Sequence, residues 1–319
     1  MCIALFSTAH PDYALVLINN RDEFLSRPTA AAEWWPSPND HILGGRDLLR
    51  PIQGTWLGIT KQGRLAVLTN FREVGQAVQG ARSRGAMVNA FLMQDKHSTE
   101  DTASFAQNLV EGAGVTGVGG FSLVCGKVGQ PFAIISNRTP NVEGITWIVQ
   151  QKGETVGLSN AAFDDRSWPK VNDGETLMKL AVERSVQRKD SKEGLVKELL
   201  QLLSTDTLPR KKKGDSWESY VRELKKSILI PVVGGEDMDH MHADELAAGK
   251  TDEPVQVPQQ TNPTKAGEGL SGLYGTQKQT VVLIDHQGHV TFVERTLYDG
   301  AAQPLDGIER DRWFEFDIE

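Results

Sequence analysis

Two short stretches at the start of the chain decide how the rest is read: Met1-Cys2-Ile3-Ala4-Leu5-Phe6 and Ala14-Leu15-Val16-Leu17-Ile18-Asn19-Asn20-Arg21-Asp22-Glu23. The first, and the second as far as Ile18, are apolar runs, and His10-Pro11-Asp12 lies between them. Proline and aspartate punctuate a turn, so the pair predicts a β-hairpin. The second run has no polar alternation, which is the pattern of a strand buried on both faces. An antiparallel hairpin sets the end of its second strand beside the start of its first. The polar segment Asn19 to Glu23 is therefore expected next to Cys2.

The same reading extends along the chain. Residues 54–60 and 63–70 predict a second hairpin across Lys61-Gln62-Gly63. Apolar spacing near the helical period covers 84–95 and 98–112, with Ser98-Thr99-Glu100 offering an N-cap. Strands are expected at 121–125, 132–135 and 145–149, then a long helical block over 168–203. Residues 279–284 and 290–294 bracket His286-Gln287-Gly288-His289 as a third hairpin. Paired strands alternating with helices predict antiparallel sheets with helices on their outer faces, an α+β class. No P-loop glycine motif is present, and strands paired in hairpins fit a doubly wound nucleotide fold badly.

The chain has 319 residues, with 39% hydrophobic and 24% charged residues, so it can bury a sizeable core. Its net charge of −8 argues against a nucleic-acid partner. No apolar run reaches the length of a membrane-spanning helix, and the N-terminus lacks the basic start of a secretory signal. With only two cysteines, Cys2 and Cys125, neither a disulfide scaffold nor a four-cysteine zinc site is expected, and a reducing compartment is. The stretch 207–269 contrasts with the rest. It opens on Arg210-Lys211-Lys212-Lys213, contains a helix-like run at 217–230, and ends in acidic and proline-rich sequence. It reads as a partly disordered surface insertion in a single domain of residues 1–319.

Cys2 is the residue richest in chemistry. If Met1 is removed, one residue carries both a thiol and a free α-amine. An α-amine has a pKa of about 7.7–8.0, so near neutral pH it can take the thiol proton and leave the nucleophilic thiolate. The alternative is a small buried cysteine that only packs. Arg21 is expected to lower the thiol pKa or to hold a substrate carboxylate or phosphate. Asp22 is expected to accept from the α-amine or to orient Arg21, unless the two form a structural ion pair. Asn70 and Asn160 each end a short strand and can donate to an oxyanion, or can serve as turn asparagines.

Other candidates are weaker. Asp237, Asp239, His240 and His242 lack metal-site spacing. His286 and His289 fall in a hairpin turn. Trp34-Trp35-Pro36 fits core packing as well as a pocket wall.

Taken in order, Met1-Cys2-Ile3, Asn20-Arg21-Asp22-Glu23 with Ser26-Arg27-Pro28, Gly54-Thr55-Trp56-Leu57-Gly58, Thr69-Asn70-Phe71-Arg72-Glu73, Ser83-Arg84-Gly85, Gly157-Leu158-Ser159-Asn160, Trp168-Pro169-Lys170 and Tyr274-Gly275-Thr276 resemble the NRDE family, the Transport and Golgi organization protein 2 family. The resemblance runs from residue 1 to about 296, apart from 207–269. It implies an N-terminal nucleophile hydrolase-like fold, a four-layer αββα sandwich, with Cys2, Arg21, Asp22, Asn70 and Asn160 as the positions to carry over. It also implies two functions. One is a cysteine amidohydrolase acting on a nonpeptide C–N bond, which needs no cofactor. The other is a carrier or chaperone for haem or an acyl lipid, tied to Golgi organisation and lipid homeostasis. Cytoplasmic, Golgi-associated and mitochondrial placements, with peripheral membrane contact, all come with that resemblance. The chain departs from the family pattern at Gln277, where a basic residue is common, and at Ser122, where asparagine is common.

Overall fold

In the computed structural model of the protein, residues 1–70, 83–112, 114–115, 118–210, 217–234, 272–307 and 310–319 are described. The chain opens with strands β1 (Ile3–Ser7), β2 (Tyr13–Phe24), β3 (Thr29–Trp34), β4 (Ile42–Asp47), β5 (Leu57–Thr60) and β6 (Arg64–Asn70). Helices α1 (Gly85–Leu92) and α2 (Thr102–Glu111) follow, then strands β7 (Phe121–Lys127), β8 (Phe132–Ser136), β9 (Thr146–Ile148) and β10 (Thr155–Leu158). Helices α3 (Pro169–Arg188), α4 (Lys192–Leu203) and α5 (Trp217–Glu223) lead to β11 (Val233–Gly234), β12 (Leu273–Asp285), β13 (His289–Thr296) and β14 (Asp311–Asp317).

These strands form two antiparallel sheets. One runs β10-β1-β2-β12-β13-β14, with β11 added to β12; the other runs β3 to β9 in chain order. Three apolar slabs stack them. Ala4, Phe6, Leu15, Leu17, Leu57, Val67, Val124 and Phe292 fill the space between the sheets. Ile3, Leu5, Val16 and Ile18 face Met178, Leu199 and Leu203 of α3 and α4. Ala66, Leu68, Leu123 and Cys125 face Val88, Phe91 and Phe105 of α1 and α2. The order is helices, sheet, sheet, helices, which is the expected αββα sandwich. Because each sheet is covered on both faces, its strands read as continuous apolar runs.

Several expectations shift in detail. The polar segment Asn19 to Glu23 belongs to β2 itself, which pairs with β12 along its whole length. The cap of α2 is Asp101, whose carboxylate accepts from Ser104 N at 2.8 Å, because the helix starts later than Ser98-Thr99-Glu100 suggested. The block 168–203 is two helices, broken at Lys189–Ser191, with Ser191 capping α4. The strands β3, β4 and β14 carry no strong apolar run and were not legible.

The largest correction concerns the front of the 207–269 stretch. Tyr220, Val221, Leu224, Ile228 and Ile230 are buried in it. Ile230 exchanges bonds with Thr276, donating its N–H to the hydroxyl at 2.8 Å and accepting from Thr276 N at 2.9 Å. Asn20 Nδ2, on β2, donates to the carbonyls of Leu203 at 2.8 Å and Ile228 at 2.9 Å. That segment is therefore part of the body. The acidic and histidine-bearing part, with Asp237, Asp239, His240 and His242, lies outside the described residues.

Asn20 is the polar tie that holds α4 and the 220–230 segment on the first sheet. Asn20→Ala leaves two buried carbonyls without a donor, each worth about 1–3 kcal/mol. Urea unfolding is expected to show a loss of about 2–4 kcal/mol with an unchanged m-value; a loss below about 0.5 kcal/mol would show that the tie carries no stability.

Candidate functional site

The site is built on the β1–β2 register. Ile3 pairs with Asn20 and Ala4 with Asn19, so the register continues with Cys2 opposite Arg21 and Met1 opposite Asp22. Side chains alternate across a strand. Cys2 and Arg21 therefore share the face toward the second sheet, whereas Met1 and Asp22 share the face under α3.

On the α3 face, Asp22 is the hub. Its Oδ2 lies 3.0 Å from the Met1 ammonium and 3.9 Å from Lys170 Nζ, and its Oδ1 accepts from the Thr276 hydroxyl at 2.7 Å. The Met1 ammonium also donates to the Tyr274 hydroxyl, and Lys170 Nζ donates to the Met1 carbonyl oxygen. Lys170 is fully buried in the first turn of α3. Two glycines let the helix come this close: a Cβ on Gly157 of β10 would sit 2.6 Å from Leu5 Cδ2, and one on Gly174 of α3 would sit 3.0 Å from Leu5 Cδ1.

On the inner face, Arg21 is held by three groups. It donates to Gln277 Oε1, lies 4.4 Å from the Trp56 ring centroid, and approaches Glu23 at 3.9 Å. A register shift on β12 between Thr276 and Lys278 marks Gln277 as a bulge. The bulge lets Thr276 reach Asp22 on one face while Gln277 and Lys278 both turn inward. Lys278 pairs there with Glu294 at 3.2 Å, whose Oε1 also accepts from Ala32 N of the other sheet. A basic residue at position 277 would face the Arg21 guanidinium; the amide oxygen accepts from it instead.

The two asparagines come to the same end of the sheets. Ser159 donates to the Cys2 carbonyl at 2.6 Å, and Thr69 donates to the Ser159 carbonyl at 2.8 Å. Asn160 Nδ2 donates to the Asn70 carbonyl oxygen. One further amide hydrogen of Asn160 remains for another acceptor.

The five expected positions are thus brought together, with two changes of role. Asp22 does not orient Arg21, because neighbouring residues on a strand face opposite ways; it forms an ion pair with the amine. Arg21 is also a weak influence on the thiol. The Cys2 thiol is pushed up, first by burial and then by the Asp22 charge, while the N-terminal ammonium and, least, Arg21 draw it down. Burial likewise lowers the Met1 amine and Lys170, each partly offset by Asp22.

Lys170, Tyr274, Thr276 and Ser159 join the site although the residue pattern alone does not single them out. The signal for Lys170 was a lysine directly after Trp168-Pro169, at the start of a helix, where a cation opposes the helix dipole. The remaining candidates stay outside the site. His286 contacts the Pro11 carbonyl at 2.9 Å, His289 pairs with Asp317 at 2.7 Å, Trp34 packs on Phe316, and Trp35 donates to the Gly44 carbonyl. Ser122 is buried within β7, opposite Thr69.

Comparison with known proteins agrees with the resemblance seen in the motifs. The sequence model of the family described as Transport and Golgi organisation 2 matches residues 1–299. The human Transport and Golgi organization protein 2 homolog is 32% identical over 313 residues, covering 94% of both chains. The mouse homolog is 30% identical over 315 residues, again 94% of both. The Drosophila melanogaster protein is 28% identical over 325 residues, covering 93% of this chain and 92% of its own. Among solved structures, a mutant conjugated bile acid hydrolase from Clostridium perfringens aligns over 100% of this chain and 92% of its own, at 11% identity and a TM-score of 0.38. Penicillin V acylase from Agrobacterium tumefaciens aligns over 99% and 86%, at 14% identity and a TM-score of 0.36.

Both thiols are buried and raised, Cys125 by burial alone. A raised thiol forms thiolate only at higher pH, so iodoacetamide should label both slowly at neutral pH while Met1 is present. Cys2 should label ahead of Cys125, and Arg21→Ala should change its rate less than about threefold, the smallest of the charge effects. Removing Met1 takes away much of the burial and should bring Cys2 labelling to lower pH. Faster labelling of Cys125 than of Cys2, read by peptide mass spectrometry, would contradict this ordering.

Proposed function

The chain belongs to the Transport and Golgi organisation 2 family, and from the arrangement around its first strand we propose that it is an amide hydrolase whose nucleophile is the thiol of Cys2, made N-terminal by removal of Met1. The observation that carries this reading is the buried Asp22 carboxylate, 3.0 Å from an amine and adjacent to the cysteine. Few structural demands put an anion, an amine and a thiol together away from water.

Without Met1, the Cys2 α-amine is the group next to Asp22. With Met1 in place, burial and the nearby Lys170 charge act to lower the amine beside Asp22, with Asp22 opposing them. The freed Cys2 amine is placed to act as the base. It takes the thiol proton as Sγ attacks the carbonyl carbon of a nonpeptide C–N bond. Asn70 and the free N–H of Asn160 donate to the oxyanion. The ammonium returns the proton to the departing nitrogen, the C–N bond breaks, and an acyl thioester forms on Cys2. Water, deprotonated by the same amine, then releases the acid and restores the thiol. Arg21, fixed by Gln277 and Trp56, is available to a carboxylate or phosphate of the substrate.

We extend to this chain the Golgi association that its relatives' names carry, as peripheral contact. Among the described residues no helix is long and apolar enough to cross a membrane.

Intact-mass measurement of the protein from its native source is expected to show loss of one methionine. Turnover of acyl amides is expected to vanish in Cys2→Ala and to fall about 100-fold in kcat in Asp22→Asn. Retained Met1 together with no turnover would sink the hydrolase and leave the carrier reading, with haem or an acyl lipid as cargo.

A further inference from the structure

The two oxygens of Asp22 have different tasks. Oδ2 lies 3.0 Å from the N-terminal ammonium, and Oδ1 accepts from the Thr276 hydroxyl at 2.7 Å. Thr276 is fully buried and pairs with Asp22 across β12 and β2. Its hydroxyl oxygen also accepts from Ile230 N at 2.8 Å, while Thr276 N donates to the Ile230 carbonyl at 2.9 Å.

We propose that Thr276 is a positioning residue for the hydrolysis, its hydroxyl turned onto Asp22 by the Ile230 N–H, so that the segment ending at Ile230 orients a base it never touches. This inference rests on the hydrolase reading above and adds the group that aims its amine.

Three observations support it. The first is the direction of the hydroxyl hydrogen. A threonine hydroxyl has one hydrogen and two acceptor sites. The Ile230 N–H takes an acceptor site, so the hydrogen is left for Asp22 Oδ1. The second is the freedom of the carboxylate. The terminal torsion of an aspartate has only a broad, two-fold preference, so the plane of the Asp22 carboxylate is set by what its oxygens bind. Oδ2 faces the amine and, at 3.9 Å, Lys170 Nζ. An ammonium acts as a compact point charge and fixes no plane; the directed hydroxyl on Oδ1 does. The third is the anchoring of the donor. Ile230 is fully buried, Leu229 N donates to the Thr205 carbonyl at 2.9 Å, and Val233 of β11 pairs with Tyr274 of β12. Gly275 permits that approach: a Cβ there would sit 3.2 Å from the Ile230 carbonyl oxygen and 3.3 Å from Val232 Cα. The relay therefore runs from Ile230 N–H through the Thr276 hydroxyl and Asp22 to the amine.

In the second half of the reaction, a water oxygen bonds to the acyl carbon of the Cys2 thioester and one water proton passes to the amine. The C–S bond breaks, and the ammonium returns that proton to Sγ. Thr276 gives up no proton. It keeps Oδ1 occupied, so Oδ2 stays with the amine through both transfers. A donor on Oδ1 also shares the carboxylate charge, and its loss leaves the amine holding its proton more tightly.

The test uses the full chain with Cys2 as its first residue, released from a cleavable leader so that native processing is not needed. The probe is p-nitrophenyl acetate, which acetylates Cys2 in a burst of p-nitrophenol; the steady rate that follows reads hydrolysis of the thioester. Thr276→Val, which keeps the shape and removes the donor, is expected to lower that steady rate about tenfold and to move the acid limb of its pH profile up by about half a unit. Thr276→Ser, which keeps the hydroxyl, is expected to stay within about threefold of the unsubstituted chain. In an Asp22→Asn background, Thr276→Val is expected to cost less than about twofold, because the relay then has no carboxylate to aim. Gly275→Ala presses on Ile230 without touching the hydroxyl. It is expected to lower the steady rate about threefold with the same direction of pH shift, and it carries the test if Thr276→Val fails to fold. An unmoved acid limb, together with an equal loss in the Asp22→Asn background, would make Thr276 a scaffold residue and overturn the relay while the hydrolase stands. Absence of any acetyl adduct on Cys2 of the unsubstituted chain would overturn both.

Discussion

The pairing of β1 with β2 is the constraint on which the site depends. With a side-chain period of two, a slip of one residue would carry Cys2 to the α3 face and Met1 to the inner one. Hydrophobicity alone cannot forbid that slip, because both faces of the hairpin are apolar: Ala4, Phe6, Leu15 and Leu17 inward, Ile3, Leu5, Val16 and Ile18 outward. The polar residues forbid it. Asn19 Nδ2 donates to the Ile3 carbonyl at 2.8 Å, and Asn20 finds Leu203 and Ile228 only on the helical side. The buried Nδ2 donors of these two asparagines find acceptors in one register and lose them in the other, which makes them a selector.

Around that register the molecule concentrates buried charge. Asp22, Lys170, Arg21, Lys278 and Glu294 are all buried at one end of the sandwich. Replacing such groups with apolar ones is often neutral or stabilising, so the three hydrophobic slabs must carry the fold while the charges serve something else. The bulge at Gln277 expresses the same compromise. It interrupts a long ladder and in return supplies Thr276 to Asp22 and Gln277 to Arg21 from adjacent residues.

The segment around Tyr220–Ile230 shows how average composition misleads. The surrounding sequence is basic on one side and acidic on the other, and its mean polarity suggests a solvated insertion. Five buried side chains and two backbone bonds to Thr276 suffice to dock it, and they also build a wall for Met1.

The sequence by itself determined the layered α+β class, because apolar runs with turn residues between them can only be buried strands in hairpins, and helical periodicity marks what covers them. It also determined that Cys2, Arg21 and Asp22 meet, since hairpin geometry is local, and ordered motifs carried the family. The short strands β3, β4 and β14 stayed hidden because none has a long apolar run: β3 and β14 are largely half-buried or exposed, and the four buried residues of β4 include two glycines. Only the tertiary structure decided the roles. That Asp22 serves the amine while Arg21 faces away follows from strand alternation once the register is known. That Lys170, from α3, and Tyr274 and Thr276, from β12, complete the cradle depends on contacts between residues more than a hundred positions apart. No local pattern encodes such contacts; the packing of α3 over Gly157 and Gly174 and the bulge in β12 create them.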